Sequence, residues 1–140
     1  MSQSDTNNKF DITIVGGGMV GISLALLLAK QQRWKVLVIE SQTIKDLDNS
    51  DYISSFDARS TALSWSSRCI FQKMGIWSKI EQYAQAISTI HVSDRGHFGL
   101  TRLEANEAGV DALGYVVENS WLGSVLIQQA IDSDISLKSD

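Results

Sequence analysis

Phe10-Asp11-Ile12-Thr13-Ile14-Val15-Gly16-Gly17-Gly18-Met19-Val20-Gly21 is the stretch whose reading decides the fold. Its first half ends in four consecutive β-branched residues, Ile12 to Val15, and reads as a short buried strand. Glycines 16, 17, 18 and 21 follow within six positions, where a chain can turn sharply. Val20 to Gln31 is rich in Leu and Ala and reads as a helix. Gly21, Ala25 and Ala29 recur every four residues on it, a stripe of small residues able to lie close to a sheet. Lys35-Val36-Leu37-Val38-Ile39-Glu40 reads as a second strand. Strand, glycine turn, helix and strand make a right-handed βαβ unit with parallel strands, so the expected class is α/β.

The same stretch has a competing reading. Ile12 to Ala29 is eighteen residues without a charge, the threshold for a membrane-spanning helix, and Gly17 and Gly21 have the spacing of a membrane dimerisation face. Each glycine in a helix interior would cost about 1 kcal/mol relative to alanine, which demotes that reading to a minor alternative. A secretory signal fails as well, because MSQSDTNNKFD sets Lys9 against Asp5 and Asp11 and no small-x-small cleavage site follows.

Gly16-x-Gly18-x-x-Gly21 fits the dinucleotide-binding fingerprint, and each spacing has a physical task. Gly16 allows the turn out of the strand, Gly18 lets a pyrophosphate approach the backbone, and Gly21 lets helix and strand pack closely. Gly17, Met19 and Val20 complete the loop, and the helix N-terminus offers N–H groups to the phosphates. Glu40 stands 19 residues past the last glycine, where a carboxylate accepts hydrogen bonds from ribose hydroxyls and disfavours a 2′-phosphate. The bland alternative is a solvated acid closing a strand. These residues point to FAD or NAD rather than NADP, and do not choose between the first two.

Beyond Glu40, Ser41 to Tyr52 is polar and reads as a surface loop. Ser60 or Thr61 can cap a helix carrying Leu63, Ile70 and Met74 on one face, with Gly75 as its stop. Arg59, just ahead, is suited to a bidentate phosphate contact and equally to a surface pair with Asp57. Cys69 reads as a buried inert thiol. Ile76 to Ala84 suggests a short helix, and Ile90 and Val92 alternate with His91 and Ser93 as a half-buried strand. Asp94 to Gly99 reads as a turn and Leu100 to Leu103 as the returning strand. His91 and His97 read as solvated rather than catalytic, for lack of a nucleophile or paired carboxylate nearby. Gly114 to Asn119 is a further strand, followed by a helix from about Ser120 to Ile131 and alternation from Ile135 to Asp140 like the start of a new strand.

Composition narrows the class without naming a chemistry. The 140 residues are 44% hydrophobic and 20% charged, values of an ordinary globular chain. A net charge of −4 without a Lys/Arg cluster argues against nucleic acid as a partner. One cysteine and two histidines are too few for a structural zinc site, and no metal is expected. The single thiol makes no internal disulfide, so nothing demands an oxidising compartment.

GGGMVG with the Glu40 strand end, FDARSTALS, HVSDRGHFG and GYVVEN, in this order and spacing, resemble the N-terminal part of the flavin-dependent hydroxylases of ubiquinone biosynthesis. The resemblance covers residues 9–140, with residues 1–8 as a flexible leader. It implies a Rossmann-like FAD-binding domain of the aromatic-hydroxylase type, with FAD as cofactor and NAD(P)H as electron donor. Gly16, Gly17, Gly18, Met19, Val20 and Gly21 would hold the FAD pyrophosphate and Glu40 its adenosine ribose. It places Arg59 along the FAD phosphates or ribityl chain and Asn119 at a polar position near the cofactor. Such enzymes oxygenate an electron-rich ring through a flavin C4a-hydroperoxide, so no catalytic triad is expected. The implied substrate is a polyprenylated methoxyphenol. The implied setting is cytoplasmic, with peripheral contact to the inner membrane and to other ubiquinone-biosynthesis proteins.

The resemblance also carries an expectation about length. The family's later Asp-Gly and Gly-Asp segments and its sheet-floored substrate domain have no counterpart in these residues. The expected state is an N-terminal portion, truncated and inactive by itself. A non-catalytic FAD- or NAD-binding module is the competing class. An NAD-dependent dehydrogenase is disfavoured, since nothing after Glu40 resembles a hydride-transfer site.

Overall fold

A computed structural model describes residues 9–41, 59–93, 96 and 99–139. The leader, most of the loop after Glu40, Asp57 and His97 therefore lie outside the described residues. The chain divides into two compact units, Met1–Ser55 with Leu126–Asp140, and Phe56–Val125.

The first unit is built on the βαβ element. Strand β1 (Ile12–Val15), helix α1 (Met19–Ala29) and strand β2 (Val36–Glu40) follow in that order. The last strand of the described chain, Ile135–Ser139, pairs parallel with β2, giving a three-stranded sheet with β2 at its centre. Alternation places Ile14, Val36, Val38, Ile135 and Leu137 on one face, where they pack with Ala25 and Leu28 of α1. Ala25, Val36 and Val38 are fully buried, so the small-residue stripe of α1 does lie against the sheet. The strands are not buried on both faces as their sequences suggest: Val15 is 84% exposed and β1 alternates between half-buried and exposed positions. α1 has 11 residues, and no helix among the described residues is long and apolar enough to cross a membrane.

The second unit is antiparallel. Strands β3 (Ser60–Ser64) and β4 (Ala84–Ile87) flank a central strand β7 (Gly114–Glu118). Strands β5 (Thr89–Ser93) and β6 (Leu100–Glu104) form a separate two-stranded pair. Helix α2 (Trp65–Met74), helix α3 (Trp77–Ile80) and a 3-10 turn (Glu81–Tyr83) lie between β3 and β4, and helix α4 (Asn119–Ile131) follows β7 directly. The strand at Ile135–Ser139 becomes β8 in this numbering. Phe71, Ile76, Trp77, Ile80, Val117 and Leu122 are among the unit's buried apolar residues. The Arg68 guanidinium lies over the Trp65 and Trp77 rings, 4.8 and 5.6 Å from their centroids.

Four local expectations are corrected here. Residues 60–64 form a strand rather than the first turn of a helix, because β7 supplies a partner at every position from Ser60↔Glu118 to Ser64↔Gly114. The helix cap therefore moves to Ser64, whose Oγ accepts from the Ser67 N–H, while Gly75 closes α2 in the left-handed conformation as expected. Ala84 ends no helix; it opens β4, which pairs with the other side of β7. The β5–β6 pair forms where expected, yet its positions are mostly exposed, with Val92 54% and Leu100 65% accessible. Cys69 is half-buried rather than buried, whereas His91 is exposed, in line with its reading as solvated.

Replacing Ser64 by alanine removes the cap of α2 and is expected to lower stability by about 1 kcal/mol. Val38→Ala, in the centre of the parallel sheet, is expected to cost about 2 kcal/mol. Denaturant titration followed by circular dichroism measures both, and equal losses would contradict the assigned burial.

Candidate dinucleotide site

The glycine turn lies at the carboxyl ends of β1 and β2, the edge where open α/β sheets bind ligands. The Gly16 N–H donates to the Ile39 carbonyl at 2.8 Å, carrying the β1–β2 ladder one residue past Val15. Gly16 then takes φ +106°, a backbone region that side chains avoid, and the chain leaves the sheet. Gly21 answers a different constraint. A Cβ on it would fall 2.0 Å from the Gly16 carbonyl oxygen and 3.3 Å from Ile14 Cγ2, so only hydrogen fits between helix and strand. Gly18 holds φ −71° and ψ −177°, extended backbone open to any residue, so its conformation does not itself require glycine.

Gly18 is the N-cap residue of α1, which has no side-chain cap and no acidic residue in its first turn. The N–H groups of that first turn point out of the helix end with the positive end of the helix dipole behind them. Met19 is half-buried, whereas the Val20 side chain is 84% exposed beside the turn. A helix end without a side-chain cap, three side-chain-free positions before it and no acid in its first turn form a donor set suited to a diphosphate.

Glu40 ends β2 beside this turn. Its Oε2 accepts the Gly17 N–H at 2.6 Å, and its Oε1 accepts from the Ser41 hydroxyl at 3.1 Å. Both carboxylate oxygens are thereby oriented, one by the turn and one by the next residue. A Cβ on Gly17 would approach Glu40 Oε2, Cβ and Cγ to 3.0, 3.1 and 3.3 Å, so this intervening motif position is crowded by the acid. The bland reading of Glu40 as a strand-closing solvated acid therefore misses a specific contact with the turn.

The two remaining candidates meet in the second unit. The Asn119 N–H donates to the Arg59 carbonyl at 2.8 Å, extending the β3–β7 ladder past Ser60↔Glu118. Strand alternation then puts Arg59, Thr61, Val117 and Asn119 on one face. Asn119 is 6% exposed, and the Thr61 hydroxyl donates to its Oδ1 at 2.5 Å. Arg59 is exposed. Sequence reasoning missed Ser41 and Thr61 as partners of site residues. Ser41 is adjacent to Glu40 and was open to inspection, whereas Thr61 meets Asn119 across 58 residues, with no local signal.

A cavity of about 390 Å³ in the first unit, lined by Asp11, Trp34, Lys35 and Asp134 among others, lies at the opposite end of the sheet from the glycine turn. Among the described residues, no group of His, Cys, Asp and Glu is arranged to hold a metal ion.

A parallel βαβ unit with an uncapped helix behind a glycine turn, and an acid bonded to that turn, defines a dinucleotide-binding domain. Residues 11–115 match the FAD dependent oxidoreductase family, DAO, and the chain belongs to it. Among curated proteins it is similar to 3-demethoxyubiquinol 3-hydroxylase of Escherichia coli, 32% identical over 127 residues, covering 88% of this chain and 30% of that protein. It is also 32% identical over 122 residues to ubiquinone hydroxylase UbiL of Rhodospirillum rubrum, covering 86% of this chain and 26% of that one. Among solved structures it resembles p-nitrophenol 4-monooxygenase PnpA of Pseudomonas putida, with a TM-score of 0.66 at 17% identity over 91% of this chain and 31% of that one. That likeness shows the fold: a Rossmann-like FAD-binding domain of the aromatic-monooxygenase type. The chain spans between about a quarter and a third of the length of these relatives.

Gly21→Ala is expected to be the most damaging single-methyl change in the turn, costing about 3 kcal/mol, because a backbone carbonyl cannot swing aside as a side chain can. Gly17→Ala, which meets the movable Glu40 side chain, is expected to cost under about 1 kcal/mol. Thermal melts of the two variants decide the order.

Proposed function

We propose that the chain is the nucleotide-binding portion of a flavin-dependent hydroxylase of ubiquinone biosynthesis. The observation that carries this reading is the Glu40 carboxylate bonded to the Gly17 N–H at 2.6 Å, beside the uncapped N-terminus of α1. Membership of the FAD-dependent oxidoreductase family favours FAD over NAD as the dinucleotide. The similarity to a ubiquinone hydroxylase and to a 3-demethoxyubiquinol 3-hydroxylase supports a ubiquinone-type ring as the substrate class; a polyprenylated methoxyphenol as the particular substrate and NAD(P)H as the reductant are what the family resemblance implies.

In this reading the first-turn N–H groups of α1, with Gly16, Gly17, Gly18, Met19, Val20 and Gly21, hold the pyrophosphate. Side-chain-free backbone at the turn brings the donors to phosphate distance, and the helix dipole stabilises the anion. Glu40, oriented by Gly17 and Ser41, accepts the ribose hydroxyls and repels a 2′-phosphate. In the second unit Arg59 and Asn119 contribute a cation and an amide to the cofactor's phosphate, ribityl or ring oxygens. FAD, when bound, supplies the redox and oxygen-activating chemistry, and the protein's part is to bind, orient and exclude water. The matched relatives extend well beyond the span covered here, and in this reading the 140 residues supply the cofactor-binding part of the enzyme. A polyprenyl tail resides in the bilayer, so in this reading the working enzyme meets its substrate at the inner membrane surface; the cytoplasmic setting and contact with other ubiquinone-biosynthesis proteins are what the family resemblance implies.

Titration of the purified chain with FAD, followed by flavin fluorescence and the visible spectrum, tests the assignment. Saturable binding is expected, weakened about tenfold in Glu40→Gln, as suits loss of a charged hydrogen bond. Colourless protein that binds NAD and not FAD would make it a different nucleotide module. Substrate-dependent oxidation of NAD(P)H by the chain alone would refute the expectation that it is not a hydroxylase by itself.

A further inference from the structure

We draw no further inference here: the strongest candidate, the exposed apolar face of the β5–β6 ribbon at Ile90, Val92 and Leu103, carries none because nothing in the structure shows what covers it.

Discussion

The contact between Gly21 and the Gly16 carbonyl is the constraint on which the first unit depends. A methyl at Gly21 would sit 2.0 Å from that oxygen, so helix and strand meet at backbone distance. The close approach brings Ala25 onto Val36 and Val38, and all three become fully buried. It also fixes where α1 begins: at the carboxyl edge of the sheet, without a capping side chain. A packing requirement and a binding geometry are thus satisfied by the same missing Cβ. Because both rest on one glycine, stability and nucleotide binding in this unit are not separable by mutation there.

Glu40 extends that logic from packing to electrostatics. An acid at the end of a strand is ordinarily free to find water, and its contribution to any site is diluted by its rotamers. Here the Gly17 N–H and the Ser41 hydroxyl take one oxygen each. Gly17 is the motif position the fingerprint leaves open, yet its N–H ties the strand-end acid to the turn. The second unit solves the same problem with other parts. Its buried amide, Asn119, is held by the Arg59 carbonyl and the Thr61 hydroxyl at the end of the β3–β7 ladder. In both units a polar side chain at or just past the end of a strand is oriented by hydrogen bonds from neighbouring residues.

How much could be read in advance follows from the range of each signal. The βαβ unit, the Gly75 helix stop and the strands at β5, β6, β7 and β8 were legible, because periodicity and glycine spacing act over a few residues. Residues 60–64 were not. Ser60, Thr61 and Ser64 are all competent caps, and the choice among them was made by β7, more than fifty residues away in sequence. β4 was missed for the same reason, since Ala84 to Ile87 carries little strand character of its own and is held by the far side of β7. The exposure of β5 and β6 also escaped alternation, which shows that two faces differ but not that one is covered.

By itself, then, the sequence determined the class of fold, the glycine turn, the acid that ends β2 and the family these residues resemble. Each is encoded in residues close together or at a short fixed spacing, and steric limits on φ and on Cβ contact act within that range. Only the tertiary structure decided that Glu40 is bonded to Gly17, that Thr61 orients Asn119 and that Ser64 rather than Ser60 caps α2. Those choices belong to hydrogen bonds between residues far apart in the chain, where several local arrangements are nearly equal in energy and a distant partner selects one.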